Sequence, residues 1–218
     1  MPSDAVDMLV VHRVFRREFH DMPRLISAVL ARDTARAKIV ADHVTFMVAA
    51  LHHHHAAEDD MVWPKLRSRA PAHQADVERM EEEHTEIAAA VDHVRSLLPT
   101  WTKSAEAALT EQLSAASREL SACVDRHLDD EERNAVPLIE EHLTQQEWAA
   151  AVKQAAAFIS VRNLRLGIVL GGLVLDGASD DERRMILSGA PIPQRLVVQL
   201  FARRSLAAYR RRLHGVSG

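Results

Sequence analysis

The pattern His-x-x-x-Glu occurs twice in this 218-residue chain, at His54/Glu58 and at His127/Glu131. A proline follows each Glu by six residues (Pro64 and Pro137), and the two units are offset by 73 residues. Two further histidines, His12 and His84, are offset by 72. Residues i and i+4 lie one turn apart on the same helix face. Each His–Glu pair can therefore hold one ion together, or its carboxylate can bridge two. Two such pairs facing each other, with the two single histidines, offer four imidazoles and two carboxylates. That set is too large for one tetrahedral ion and suits a pair of iron-like ions. Helical bundles hold di-iron and di-manganese centres in this way, with carboxylate bridges and imidazole ends.

The elements that must position these groups are helical. Leu9, His12, Phe15, Phe19 and Ile26 recur every three to four residues, so a first helix runs from about Asp7 to Leu30. Asp33 or Thr34 can cap a second, which carries Val40, Val44, Met47, Leu51, His54, Glu58 and Met61 on one face. Pro64 and residues 67–71 end it. A third shows Val77, Met80, His84, Ile87, Val91 and Val94 and ends near Pro99. A fourth begins around Thr102–Ser104, shows Leu109, Leu113, Leu120, Val124, His127 and Glu131, and stops before Pro137. Each apolar stripe is interrupted by a metal-capable residue. Burying such a group without a partner is costly, so the four interruptions are expected to satisfy one another or a shared ion.

The fold class expected is all-α: an up-down-up-down four-helix bundle over residues 1–142, then a helical C-terminal extension over 143–218, packed on the bundle and basic at its end. Thr144-Gln-Gln-Glu147 and Ser179-Asp-Asp-Glu182 read as capping boxes opening helices of that extension. The stretch from Leu164 to Leu175 is apolar but short and carries Gly167, Gly171 and Gly172, so packing is expected of it rather than a span. Pro191 and Pro193 precede a last, arginine-rich helix reaching about Leu213.

Composition agrees. Hydrophobic residues make up 47% and aromatics 4%, with 7 Gly and 8 Pro, which favours helices over sheets around a buried core. Cys123 is the only cysteine, so no internal disulfide forms, a reducing compartment fits, and a small buried apolar role is expected of it. The N-terminal residues lack a signal-peptide pattern, and no run of about 18 apolar residues occurs. A cytoplasmic location without a membrane span is the expectation. The net charge of −4 is uneven: from Arg183 onward there are eight arginines and no acid, leaving a net of −12 on the first 182 residues.

Val11-His12-Arg13, the run His52-His53-His54-His55-Ala-Ala-Glu58-Asp59 with Trp63-Pro64, Glu83-His84, and His127-Leu-Asp-Asp-Glu131 together resemble the hemerythrin-like, His-His-Glu cation-binding family over roughly residues 8–142. The tail from Glu147-Trp148 to Tyr209-Arg210-Arg211 is similar to the C-terminal extension of an actinobacterial-type branch. The resemblance implies that His12, His54, Glu58, His84, His127 and Glu131 are ligands of two non-haem irons, bridged by Glu58, Glu131 and an oxo or hydroxo group. In the oxygen-carrying members the third helix gives two His one turn apart. Here Ala88 follows His84 at that spacing, and His55, three residues before Glu58 on an adjoining face, is the substitute ligand.

The departure at Ala88 argues against simple oxygen carriage, because the ligand set governs open positions and redox potential. What the resemblance implies is a protein that binds or senses a small oxidant: dioxygen, nitric oxide or peroxide. A catalase-like enzyme that decomposes peroxide, an iron sensor and a metal-free helical adaptor are the alternatives. Asp59, Asp130 and Glu132 are acids able to orient the imidazoles, whereas His20, His43, His73, His93 and His142 read as surface residues, and His52 and His53 as exposed or just outside the ligands. The basic tail reads as docking on an acidic bundle, its own or a partner's, by self-association or protein contact; a membrane-surface or nucleic-acid role is the alternative, with no nucleic acid expected as partner.

Overall fold

A computed structural model of the chain describes residues 3–158, 164–189 and 192–215, and no strand occurs among them. The helices are α1 (Val6–Ser27), α2 (Thr34–Met61), α3 (Trp63–Arg69), α4 (Gln74–Ser104), α5 (Ala107–Asp130), α6 (Val136–His142), α7 (Gln145–Ala155), α8 (Leu164–Gly177), α9 (Asp180–Gly189) and α10 (Ile192–His214). A π-helical turn, Glu131–Ala135, joins α5 to α6. None of these helices is long and apolar enough to cross a membrane. The chain divides into two compact units, one of residues 1–5 and 15–156, the other of residues 6–14 and 157–218.

In the first unit α2, α4, α5 and the greater part of α1 form the up-down-up-down bundle. Cross-helix contacts give the directions. Arg16 meets Asp129, His20 meets Asp125 and Ser27 meets Ser114, so α1 and α5 are antiparallel. Glu83 meets His127 and Trp101 meets Thr110, so α4 and α5 are antiparallel too. Phe19, Met22, Leu25, Ile26, Met47, Leu51, Met80, Leu113 and Leu120 are the fully buried core between them. Each such side chain contributes about 1.5–3 kcal/mol by leaving water. Asp33 caps α2 by accepting from the Arg36 N–H. The expected box at Thr144/Glu147 is present at the start of α7, which packs on α2.

The prolines act differently from expectation. Pro99 lies inside α4, which runs on to Ser104. Pro64 and Pro137 end the long helices, yet each is the second residue of a new short one, α3 and α6. Proline is at home there, because the first-turn N–H has no helical partner to lose. The first helix stops at Ser27, and Leu30 is 75% exposed.

In the second unit α8 and α10 pack closely. A Cβ on Gly172 would meet the Ala202 carbonyl oxygen and Leu206 Cβ at 3.1 Å, so a larger residue there would push the two helices apart by a few tenths of an ångström. Ser179 and Glu182 form the second expected box, ahead of α9. The N-terminal turns of α1 belong here: Arg13 donates to the Gly177 carbonyl (3.3 Å) and pairs with Glu182 at 2.7 Å. The last helix begins at Ile192; Pro191 lies outside the described residues.

Candidate metal centre

Helix α2 carries His54, His55 and Glu58 near its C-terminal end, α4 carries His84 and α5 carries His127, with Glu131 on the following π turn. Adjacent residues on a helix diverge by about 100°, so His54 and His55 serve different neighbours. His55 stacks on His84, ring centroids 4.0 Å apart with planes 9° apart, and lies edge-on to His127 at 4.9 Å. His54 turns the other way, against the Phe15 ring at 5.3 Å.

Two groups of ligand atoms result, each within 4.8 Å: His55, His84 and His127 in one, His12, His54 and Glu131 in the other. Glu58 stands between them, its carboxylate 3.1 Å from His54 Nε2 and 3.6 Å from His84 Nε2. Glu131 lies 3.6 Å from His127 Nε2. All seven residues singled out from the sequence are thus drawn into these groups or set between them. Ala88, the position one turn beyond His84, is exposed, and His55 occupies the space beside His84 instead.

The proton inventory shows what the arrangement lacks. His84 Nδ1 lies 2.7 Å from Asp59 and His127 Nδ1 lies 2.9 Å from Glu83. A carboxylate only accepts, so both imidazoles donate from Nδ1 and turn Nε2 inward. Those two Nε2 atoms face each other at 3.2 Å. The buried Glu58 carboxyl lies against Glu131 as well as against the imidazoles of His54 and His84. Burial first, then the charges of Glu131 and Asp59, push the Glu58 carboxyl well above the ordinary carboxylate range. Imidazole nitrogens facing one another beside buried carboxyl groups are costly to leave uncompensated and are relieved by cations placed among them. The donors are nitrogen and oxygen only. Cys123 is half-buried, with the Arg126 guanidinium 3.4 Å from its sulfur, and belongs to neither group. Such a hard-to-borderline set fits iron.

The acids around the centre divide their work. Asp59 orients His84, as expected. Asp130 and Glu132 bind arginines. Asp130 binds Arg79 at 2.5 Å and Asn134 at 2.5 Å, and Glu132 binds Arg16 at 2.6 Å. Glu83 orients His127 in their place. Its only sequence signal was adjacency to His84. His43, read as a surface residue, is 1% exposed and faces Glu18 at 3.8 Å. Trp63, fully buried, tilts against His84 at 6.0 Å and gives the site an apolar wall.

A family model described as the hemerythrin HHE cation-binding domain matches residues 5–139. No curated protein and no solved structure matches the chain.

Proposed function

This chain belongs to the hemerythrin HHE cation-binding domain family, and from that premise we propose that its bundle holds two non-haem irons and binds or senses a small oxidant: dioxygen, nitric oxide or peroxide. The observation that carries the reading is the pair of Nε2 atoms of His84 and His127, 3.2 Å apart, beside the buried carboxyl of Glu58. In this reading His55, His84 and His127 hold one iron and His12 and His54 the other, with Glu58 and Glu131 bridging, and an oxo or hydroxo group completing the bridge. The irons supply an open coordination position and a reversible change of charge.

The chain's own residues do the rest. Asp59 and Glu83 keep the Nδ1 protons of His84 and His127 in place, so Nε2 stays free and the rings stay aimed. Phe15 and Trp63 keep water from the imidazoles they face. A cation held there would favour the ionised Glu58 that burial first, and then the charges of Glu131 and Asp59, disfavour.

Metal content per chain, with an ultraviolet–visible spectrum before and after peroxide, tests the reading. Two irons, an oxo-bridge charge-transfer band and a stable shift with oxidant are expected. Sustained catalytic loss of peroxide would make the protein an enzyme instead. No iron after anaerobic reconstitution with ferrous ion would overturn the site.

A further inference from the structure

We propose that helix α10 is a docking surface for anionic lipid, acting at the interface of a bilayer rather than across it. This rests on the C-terminal unit alone and is independent of the metal centre. Helix α10 has two working faces. Val198, Ala202 and Leu206 lie toward α8, where they meet Gly171 and Gly172. At 100° per residue, Leu196, Leu200, Arg203, Arg204, Ala207 and Arg211 fall on one arc of about 100° on the other side. All six are exposed. Leu196 is 51% and Leu200 68% exposed, and Phe201, 52% exposed, lies about 60° beyond the arc.

The charges of this face are uncommitted. Arg195 donates to the Ser188 carbonyl and Arg210 pairs with Asp176. The side chains of Arg203, Arg204 and Arg211 make no hydrogen bond or ion pair among the described residues. No acid follows Glu182 in the chain, so nothing within this stretch repels an anion.

The occupant must therefore accept exposed leucines and free guanidinium groups on a single face. A bilayer interface offers both at different depths, acyl chains below and phosphates above, and long Arg side chains reach upward while Leu and Phe insert. Nucleic acid would use the arginines and leave the leucines in water. A second copy's acidic bundle would answer the charge but not the apolar half: the large apolar residues exposed on the described bundle are Leu30 and Val152, which lie on separate helices or loops.

The test is flotation of the full chain with vesicles of phosphatidylcholine alone or with about one third phosphatidylglycerol. Binding is expected to the anionic vesicles only, weakening with salt. Joint replacement of Arg203, Arg204 and Arg211 by Gln should reduce it at least about tenfold, because each cation near an anionic surface contributes. Leu196→Ser with Leu200→Ser should reduce it comparably at unchanged helicity. The proposal is overturned by absent vesicle binding, by equal binding to both vesicles, or by full binding of either variant. It is overturned equally by binding to duplex DNA that survives the leucine changes while vesicles are ignored, or by a dimer that the same changes dissolve without any vesicle binding.

Discussion

At the scale of single residues, the centre depends on what each side chain leaves unsatisfied. Glu58 is buried between the two groups of ligand atoms, beside His54 and His84, where a cation would offset the cost of its charge. Glu58→Ala is expected to lose most of the iron, whereas His20→Ala, which removes only an exposed imidazole beside Asp125, should retain it; metal analysis of the two purified variants decides. Retention of two irons by Glu58→Ala would remove Glu58 from the ligand set. Asp59 acts through His84 and leaves the ligand count alone. Asp59→Asn should weaken iron binding by roughly 10–100-fold and move the charge-transfer band, while the fold is kept. Unchanged affinity and spectrum would mean that His84 is held by packing against His55 and Trp63 alone.

At the scale of elements, periodicity along one helix was readable and crossing between helices was not. The spacing of His54 and Glu58, and of His127 and Glu131, was legible because one helix fixes it. Glu83 was not, because it sits on α4 yet serves a ring on α5, and no single-helix pattern encodes that. His43 looked like a surface residue because nothing in its own helix signals that Glu18 of α1 faces it. Proline was over-read as a stop: it marks where one helix ends, but in α3 and α6 it also starts the next. The start of α7 was legible because its cap is local. There Glu147 accepts from Thr144 and pairs with both nitrogens of Arg69, and these contacts, Arg69 first, hold its carboxyl far below the ordinary 4.5. A depressed folded-state value means that this support is complete above about pH 4.5 and fades as the pH falls below it. Glu147→Gln should therefore lower stability near neutrality slightly, since the pair is exposed. It should also flatten the acid limb of a denaturation profile, and an unchanged limb would contradict the assignment.

For the whole molecule, the balance turns on the ions. A bundle that gathers imidazole lone pairs and carboxylates at its centre stores repulsion when empty. Anything bound only by the folded state stabilises it by mass action. Chelated protein should melt lower than the iron-loaded form and be cut faster by protease. Equal melting temperatures would mean that the bundle's apolar core carries the fold unaided. The all-helical class and the bundle were legible because four stripes repeated the same interruption. The division of the chain into units was not, since which neighbours the first two turns of α1 take is decided in space.

That division bears on inheritance and on excision. By family resemblance the cation-binding module runs from residue 5 to residue 139. By packing, residues 6–14 keep company with residues 157–218, and Arg13, next to His12, is tied to Gly177 and Glu182. A scissors cut at residue 156 would respect the module and strip residues 6–14, His12 among them, of the neighbours they pack with. Amide exchange across residues 6–14 should then quicken in the shortened chain, and iron should leave first from the His12 side.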